Sequence, residues 1–80
     1  QADVNVSIEM RFCEKNCLTA RESEVALLLL KGRNNPFIRE SLNISDNTLK
    51  SHLRNIYRKL DVTNRQDLFS LFDEFRKRFT

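Results

Sequence analysis

Apolar residues recur at helical spacing through most of the chain, and the clearest run lies between residues 45 and 60. There Leu49, Leu53, Ile56 and Leu60 fall at i, i+4, i+7 and i+11, one stripe along a single helix. Ser45 precedes it as a strong N-cap, and Asp46 places a negative charge in the first turn, where the helix dipole favours one. The other faces carry Asn47, Lys50, Ser51, Arg54 and Arg58, with Asp46 the one acid in the stretch. Such a helix buries one side and offers the other to a polyanion.

The same reading, applied outward from that stretch, gives a linker and four more helices. Residues 1–6 read as a frayed linker, and 7–16 as a short helix with Ile8 and Phe12 on one face. Thr19-Ala20-Arg21-Glu22 is a capping box behind the staple residue Leu18. It opens a helix over about 20–31, with Val25, Leu28 and Leu29 on the core face and Leu27 and Leu30 widening it. Gly32 supplies the left-handed stop. Either Asn34 or Asn35 can cap the next helix, about 35–42, whose first turn tolerates Pro36 and whose buried residues are Ile38 and Leu42. Asn43 takes the left-handed position before the 46–60 helix, and Asp61 the one after it, with Val62 plugging the core. Thr63 then caps a last helix over about 64–78 with Gln66 at its third position. Leu68, Leu71, Phe72, Phe75 and Phe79 share one side of it, and Phe69 lies off that stripe. So much aromatic surface suits either packing against the 7–16 segment or a dimer interface, and periodicity does not choose between them.

Composition narrows the class. Eighty residues with one Gly and one Pro, 40% hydrophobic and 31% charged, make a single all-α domain without walls for a substrate cleft. Two short helices about three residues apart, the second longer and basic, match the helix-turn-helix outline. Net charge is +3, and residues 46–60 alone account for that excess, as a nucleic-acid surface requires. A chain that starts at Gln1 is expected to be a piece of something longer. It carries no signal peptide, no lipidation motif and no membrane-length apolar run.

Candidate chemistry is sparse. Cys13 and Cys17, four apart on a helix, are poorly placed for a disulfide, and the one histidine, His52, is remote from them, so no metal set and no cofactor is expected. They read as free thiols of a cytosolic protein. No nucleophile–base pair, carboxylate pair or glycine loop suggests an enzyme. His52 reads as a packed or phosphate-facing residue.

Several spaced motifs agree together: Leu18-Thr19-Ala20-Arg21-Glu22-Ser23-Glu24-Val25, Gly32-Arg33-Asn34-Asn35 with Ile38, Ile44-Ser45, Thr48-Leu49-Lys50-Ser51-His52-Leu53, Asn55-Ile56-Tyr57-Arg58-Lys59-Leu60 and Asn64-Arg65. Over about residues 18–70 the chain resembles the C-terminal DNA-binding domain of LuxR-type (GerE- or NarL-type) bacterial transcription regulators. The resemblance implies a four-helix helix-turn-helix domain over 18–80, with residues 1–17 a linker and an additional short helix. Its third helix would enter the major groove of double-stranded DNA, with Lys50, Ser51 and Arg54 at the bases and Asn35, Thr48, Arg58 and Lys59 at the phosphates. It further implies a homodimer on two half-sites joined through the last helix, where Phe69 and Phe72 are the candidates, and RNA polymerase as a downstream partner. The location would be the bacterial cytoplasm, with any membrane tether in an N-terminal portion like the transporter-like bundles of some such regulators.

Three positions depart from the family pattern. Arg39 replaces a small residue in the helix-turn-helix elbow, where it either splays the two helices or snorkels outward. Asp61 replaces the usual Gly, and Pro36-Phe37 replace polar residues. The C-terminal region of sigma factors shares the Leu-Thr-x-Arg-Glu opening, but the Tyr57–Arg65 stretch favours the LuxR type. A helical protein-interaction module is the rival from another class. A winged variant is disfavoured because nothing after Leu60 reads as a hairpin.

Overall fold

The computed structural model describes residues 7–78, which form five helices: α1 (Ile8–Lys15), α2 (Ala20–Leu30), α3 (Asn35–Leu42), α4 (Asp46–Leu60) and α5 (Arg65–Lys77). The expected linker at 1–6 and the apolar position at Phe79 lie outside the described residues. All five helices begin at a side-chain cap, and the Thr19–Glu22 capping box is complete, with both reciprocal bonds present. Of the two candidate asparagines, Asn34 caps α3, accepting from the Phe37 amide at 2.9 Å. The α5 cap differs from expectation. Asn64, not Thr63, accepts from the Asp67 amide at 2.8 Å, and the Thr63 hydroxyl instead donates to the Asp67 carboxylate at 3.1 Å.

The first four helices stop by one device. A left-handed residue follows each: Cys17, Gly32, Asn43 and Asp61, with φ of 59°, 84°, 55° and 58°. In each case the next amide reaches back to the carbonyl five residues before it: Leu18 to Cys13, Arg33 to Leu28, Ile44 to Arg39 and Val62 to Tyr57. Three of these follow-on residues, Leu18, Ile44 and Val62, pack against the core. The apolar contact and the paired carbonyl hold the left-handed turn where no glycine relieves it. In a chain with one glycine, that turn geometry is specified by what comes after the turn.

The core draws on every helix: Phe12 and Cys13 of α1, Val25, Ala26 and Leu29 of α2, Ile38 of α3, Leu49, Ile56 and Leu60 of α4, Leu68 and Phe75 of α5. Ala26 takes the buried place expected for Leu28, which is half-buried, as is Leu42. Phe12 is 1% exposed; its ring meets Phe72 edge-on at 5.2 Å and Phe75 at 5.3 Å. The 7–16 segment therefore packs on the aromatic side of α5, and Phe72 is partly buried in this contact, while Phe69 stays exposed at 36%. Phe37, also exposed, is covered on one side by the Arg33 guanidinium 4.8 Å from its ring centre. No helix among the described residues is long and apolar enough to cross a membrane.

Opposite substitutions at the left-handed stops should move stability in opposite directions. Gly32→Ala should destabilise by about 1–2 kcal/mol through backbone strain alone, since the space around its α-carbon is open. Asp61→Gly should stabilise by up to about 1 kcal/mol. Urea denaturation of the two variants checks both signs.

Candidate nucleic-acid interface

α4 is amphipathic in three dimensions as in sequence. Leu49, Ile56 and Leu60 are buried and Leu53 half-buried, so one side of the helix is committed to the core. At about 100° per residue, Asn47, Lys50, Ser51, Arg54 and Arg58 fall within an arc about 100° wide on the other side. All five are exposed. Ser45 accepts from the Thr48 amide at 3.1 Å and its hydroxyl donates to the Thr48 hydroxyl at 3.0 Å, which fixes the first turn and leaves Thr48 exposed beside it.

The cations of this arc are barely engaged. Lys50 lies 3.2 Å from the Asp46 carboxylate but its side chain is 65% exposed, a surface pair worth under about 1 kcal/mol and easily surrendered to a stronger anion. Arg54 and Arg58 make no ion pair or side-chain hydrogen bond among the described residues. Asn35, at the start of α3, is exposed and accepts from the Arg65 guanidinium at 3.4 Å.

Lys59 does not join them. It lies about 140° around α4 from Arg54, on the flank of the apolar stripe. Its ammonium donates to Glu22 Oε1 at 2.7 Å and to the Cys17 carbonyl at 3.2 Å. Lys59, an exposed residue, thus ties the end of α4 to the start of α2 in the chain by itself. Glu22 is 5% exposed, and the same Oε1 accepts from the Thr19 amide at 3.0 Å, so one carboxylate completes a helix cap and an interhelical ion pair. Burial alone would raise the Glu22 pKa. The hydrogen bond from Lys59, the Thr19 amide and the Lys59 charge together outweigh it and hold the group below its ordinary 4.5.

Other candidate positions resolve plainly. His52 is half-buried on the side of α4 away from Arg54. Cys13 is buried and Cys17 exposed, both free; burial pushes the Cys13 thiol up, partly opposed by a hydrogen bond with Ser23, which makes it a packed side chain rather than a reactive one. Arg39 is half-buried in the α3–α4 elbow, and its Nε is buried without a partner among the described residues, so the arginine neither leaves the elbow fully nor finds a bond within it. Two residues that were not among the candidate contacts, Tyr57 and Arg65, line a surface hollow with Asn34, Asn35 and Leu53. Residues 61–80 sum to no net charge, which hid Arg65, and only the fold brings the first residue of α5 beside that of α3.

The family profile of the bacterial regulatory proteins of the luxR family (GerE) matches residues 16–72, which leaves α1 outside the match. The chain is 45% identical over 53 residues to the monoamine regulon transcriptional regulator of Klebsiella aerogenes, covering 66% of this chain and 23% of that protein. It is 46% identical over 48 residues to the putative HTH-type transcriptional regulator YhjB of Escherichia coli K12, covering 60% and 24%. It is also 40% identical over 50 residues to the HTH-type transcriptional regulator MalT of Vibrio campbellii, covering 62% and 6%. The chain thus spans about a quarter of the first two relatives and a far smaller part of the third. No solved structure matches it at comparable significance.

The Glu22–Lys59 pair sets a pH dependence. With its folded pKa depressed, Glu22 adds stability above its ordinary value and loses that contribution as the pH falls through the folded one. Lys59→Ala should lower stability at neutral pH by about 1–3 kcal/mol by leaving the buried carboxylate short of a partner. Glu22→Gln should also be less stable than the parent at neutral pH, with the gap closing in acid. Denaturant titrations at a series of pH values check both.

Proposed function

Because the chain belongs to the luxR family of bacterial regulatory proteins, we propose that it binds double-stranded DNA sequence-specifically through its helix-turn-helix, as the output domain of a longer transcription regulator. The observation that carries this reading is the arc of exposed, weakly paired cations on the one helix whose opposite side is locked in the core. α4 then lies in the major groove, with Lys50, Ser51 and Arg54 at base edges. Arg54 and Lys50 each suit guanine, whose O6 and N7 accept two hydrogen bonds side by side. Asn35, Thr48 and Arg58 face phosphates and set the register. The role is binding without catalysis.

The DNA-binding domain proper is proposed to span 18–80, with α1 an appended helix docked through Phe12. Pairing of two copies through α5 would place two α4 helices on half-sites about one helical turn apart. Phe69, exposed, and the still partly exposed Phe72 are the residues that would meet across the two-fold axis. Transcription would change through contact with RNA polymerase or its exclusion. Signal sensing, and any membrane tether, would belong to the rest of the longer protein.

Selection from a random duplex pool should return a defined site. Against that site and its single-base variants, Arg54→Ala should erase discrimination of about 1–3 kcal/mol at one position while leaving the others intact. Equal weakening on every duplex would instead make Arg54 a phosphate contact. Phe69→Glu should leave the folded chain intact yet prevent paired occupancy of a two-half-site duplex, read by sedimentation of the complex. Pairing unaffected by that change would place the dimer contact elsewhere.

A further inference from the structure

We infer that the hollow bounded by Asn35, Tyr57 and Arg65 is a seat for one phosphodiester of the DNA backbone, beside the groove that α4 enters. The inference rests on the DNA-binding reading above and adds a second, separately built contact to it. The hollow is open, about 450 Å³, lined by Asn34, Asn35, Leu53, Tyr57 and Arg65, and has no carboxylate in its wall. The hollow at the helix-turn-helix elbow carries Glu40 and Asp46, and the one between α1 and α5 carries Glu74, so neither suits an anion as well.

The polar groups of the wall are set to donate. Arg65 has no acidic partner among the described residues; its one side-chain bond is to Asn35 Oδ1. That bond orients the Asn35 amide with its oxygen toward Arg65, and its NH2 makes no bond among the described residues. The Tyr57 hydroxyl makes no hydrogen bond among the described residues. Burial pushes its pKa up despite the Arg65 charge, so it stays a protonated donor. Asn35 and Arg65 are the first residues of α3 and α5, so two helix dipoles turn their positive ends to the same place.

Position favours a backbone phosphate over a free ion. Tyr57 lies about 60° around α4 from Arg54, so the hollow continues the exposed cationic arc on its Lys50 side. A duplex that brings base edges to Arg54 must carry a sugar–phosphate strand past that flank. A guanidinium, an amide and a phenol around an open hollow match the oxygens of such a strand, which positions the reader without itself conveying sequence.

The test measures binding of the chain to the selected duplex and to sheared genomic DNA over a range of salt. Arg65→Ala should weaken both by about tenfold and lower the log–log salt slope by about one, with sequence preference unchanged. Arg65→Lys should keep most of the slope. Tyr57→Phe, which removes only the hydroxyl, should weaken both duplexes several-fold at unchanged slope. Thermal unfolding of each variant separates loss of binding from loss of fold. If Arg65→Ala and Tyr57→Phe fold and bind both duplexes as the parent does, while Arg54→Ala still relaxes sequence choice, the seat is refuted and the DNA-binding reading stands. If inorganic phosphate binds saturably, Arg65→Ala abolishes that binding and duplex affinity does not move, the hollow is a free-anion site and the inference falls. If the parent binds no duplex at all, both readings fall together.

Discussion

A carboxylate at the start of α2 and an ammonium at the end of α4 meet 2.7 Å apart, with the carboxylate almost wholly out of water. Glu22 could not be buried there unpaired, because a lone ionised group in that position would favour its neutral form. Lys59 supplies the charge, the Thr19 amide supplies a hydrogen bond, and the Cys17 carbonyl takes a second bond from Lys59. The pair therefore joins the α1–α2 turn, the α2 cap and the last turn of α4 at one point. The packing of Leu49, Ile56 and Leu60 seats α4 in the core, and the ion pair adds a directional contact to it. Together they hold the α4 stripe inward, which leaves Arg54 and Lys50 facing outward.

The division of cations on α4 follows. Four lie on this helix; Lys59 is paired with the buried Glu22 carboxylate, while Lys50, Arg54 and Arg58 have at most one exposed acid for a partner. A lysine paired with a buried carboxylate is harder for a polyanion to recruit than an exposed lysine beside the exposed Asp46. The proposed DNA-facing surface is thus selected by solvent access as much as by sequence position. The Asn35–Tyr57–Arg65 hollow extends it with groups contributed by three helices, none of which forms a site alone.

α1 illustrates a related economy. It lies outside the family match, yet its Phe12 is among the most buried side chains and fills the aromatic side of α5. Without it Phe72 and Phe75 would be further exposed, a surface of the kind that invites association. The helix thereby limits how much apolar surface of α5 stays open to solvent, and Phe69 is its exposed ring.

The sequence by itself determined the helices and most of their ends, the α5 cap and the stop at Cys17 being the exceptions. The stripe of α4, the capping box of α2, and the left-handed stops at Gly32, Asn43 and Asp61 were all readable, because caps, turns and periodicity are fixed by residues within a few positions of one another. It also placed Lys50, Ser51 and Arg54 on one face, and the 7–16 segment as a candidate partner for the aromatic side of α5. Only the tertiary structure decided that it packs there, that Lys59 pairs with Glu22 and that Arg65 reaches Asn35 across 30 positions of chain. Lys59 had a local sign, since it sits three residues after buried Ile56 on the flank of the stripe. Its partner Glu22 is 37 positions away, and no local rule couples them. Short-range geometry is written in neighbouring residues; which charge is solvated and which is paired depends on what the completed core brings alongside.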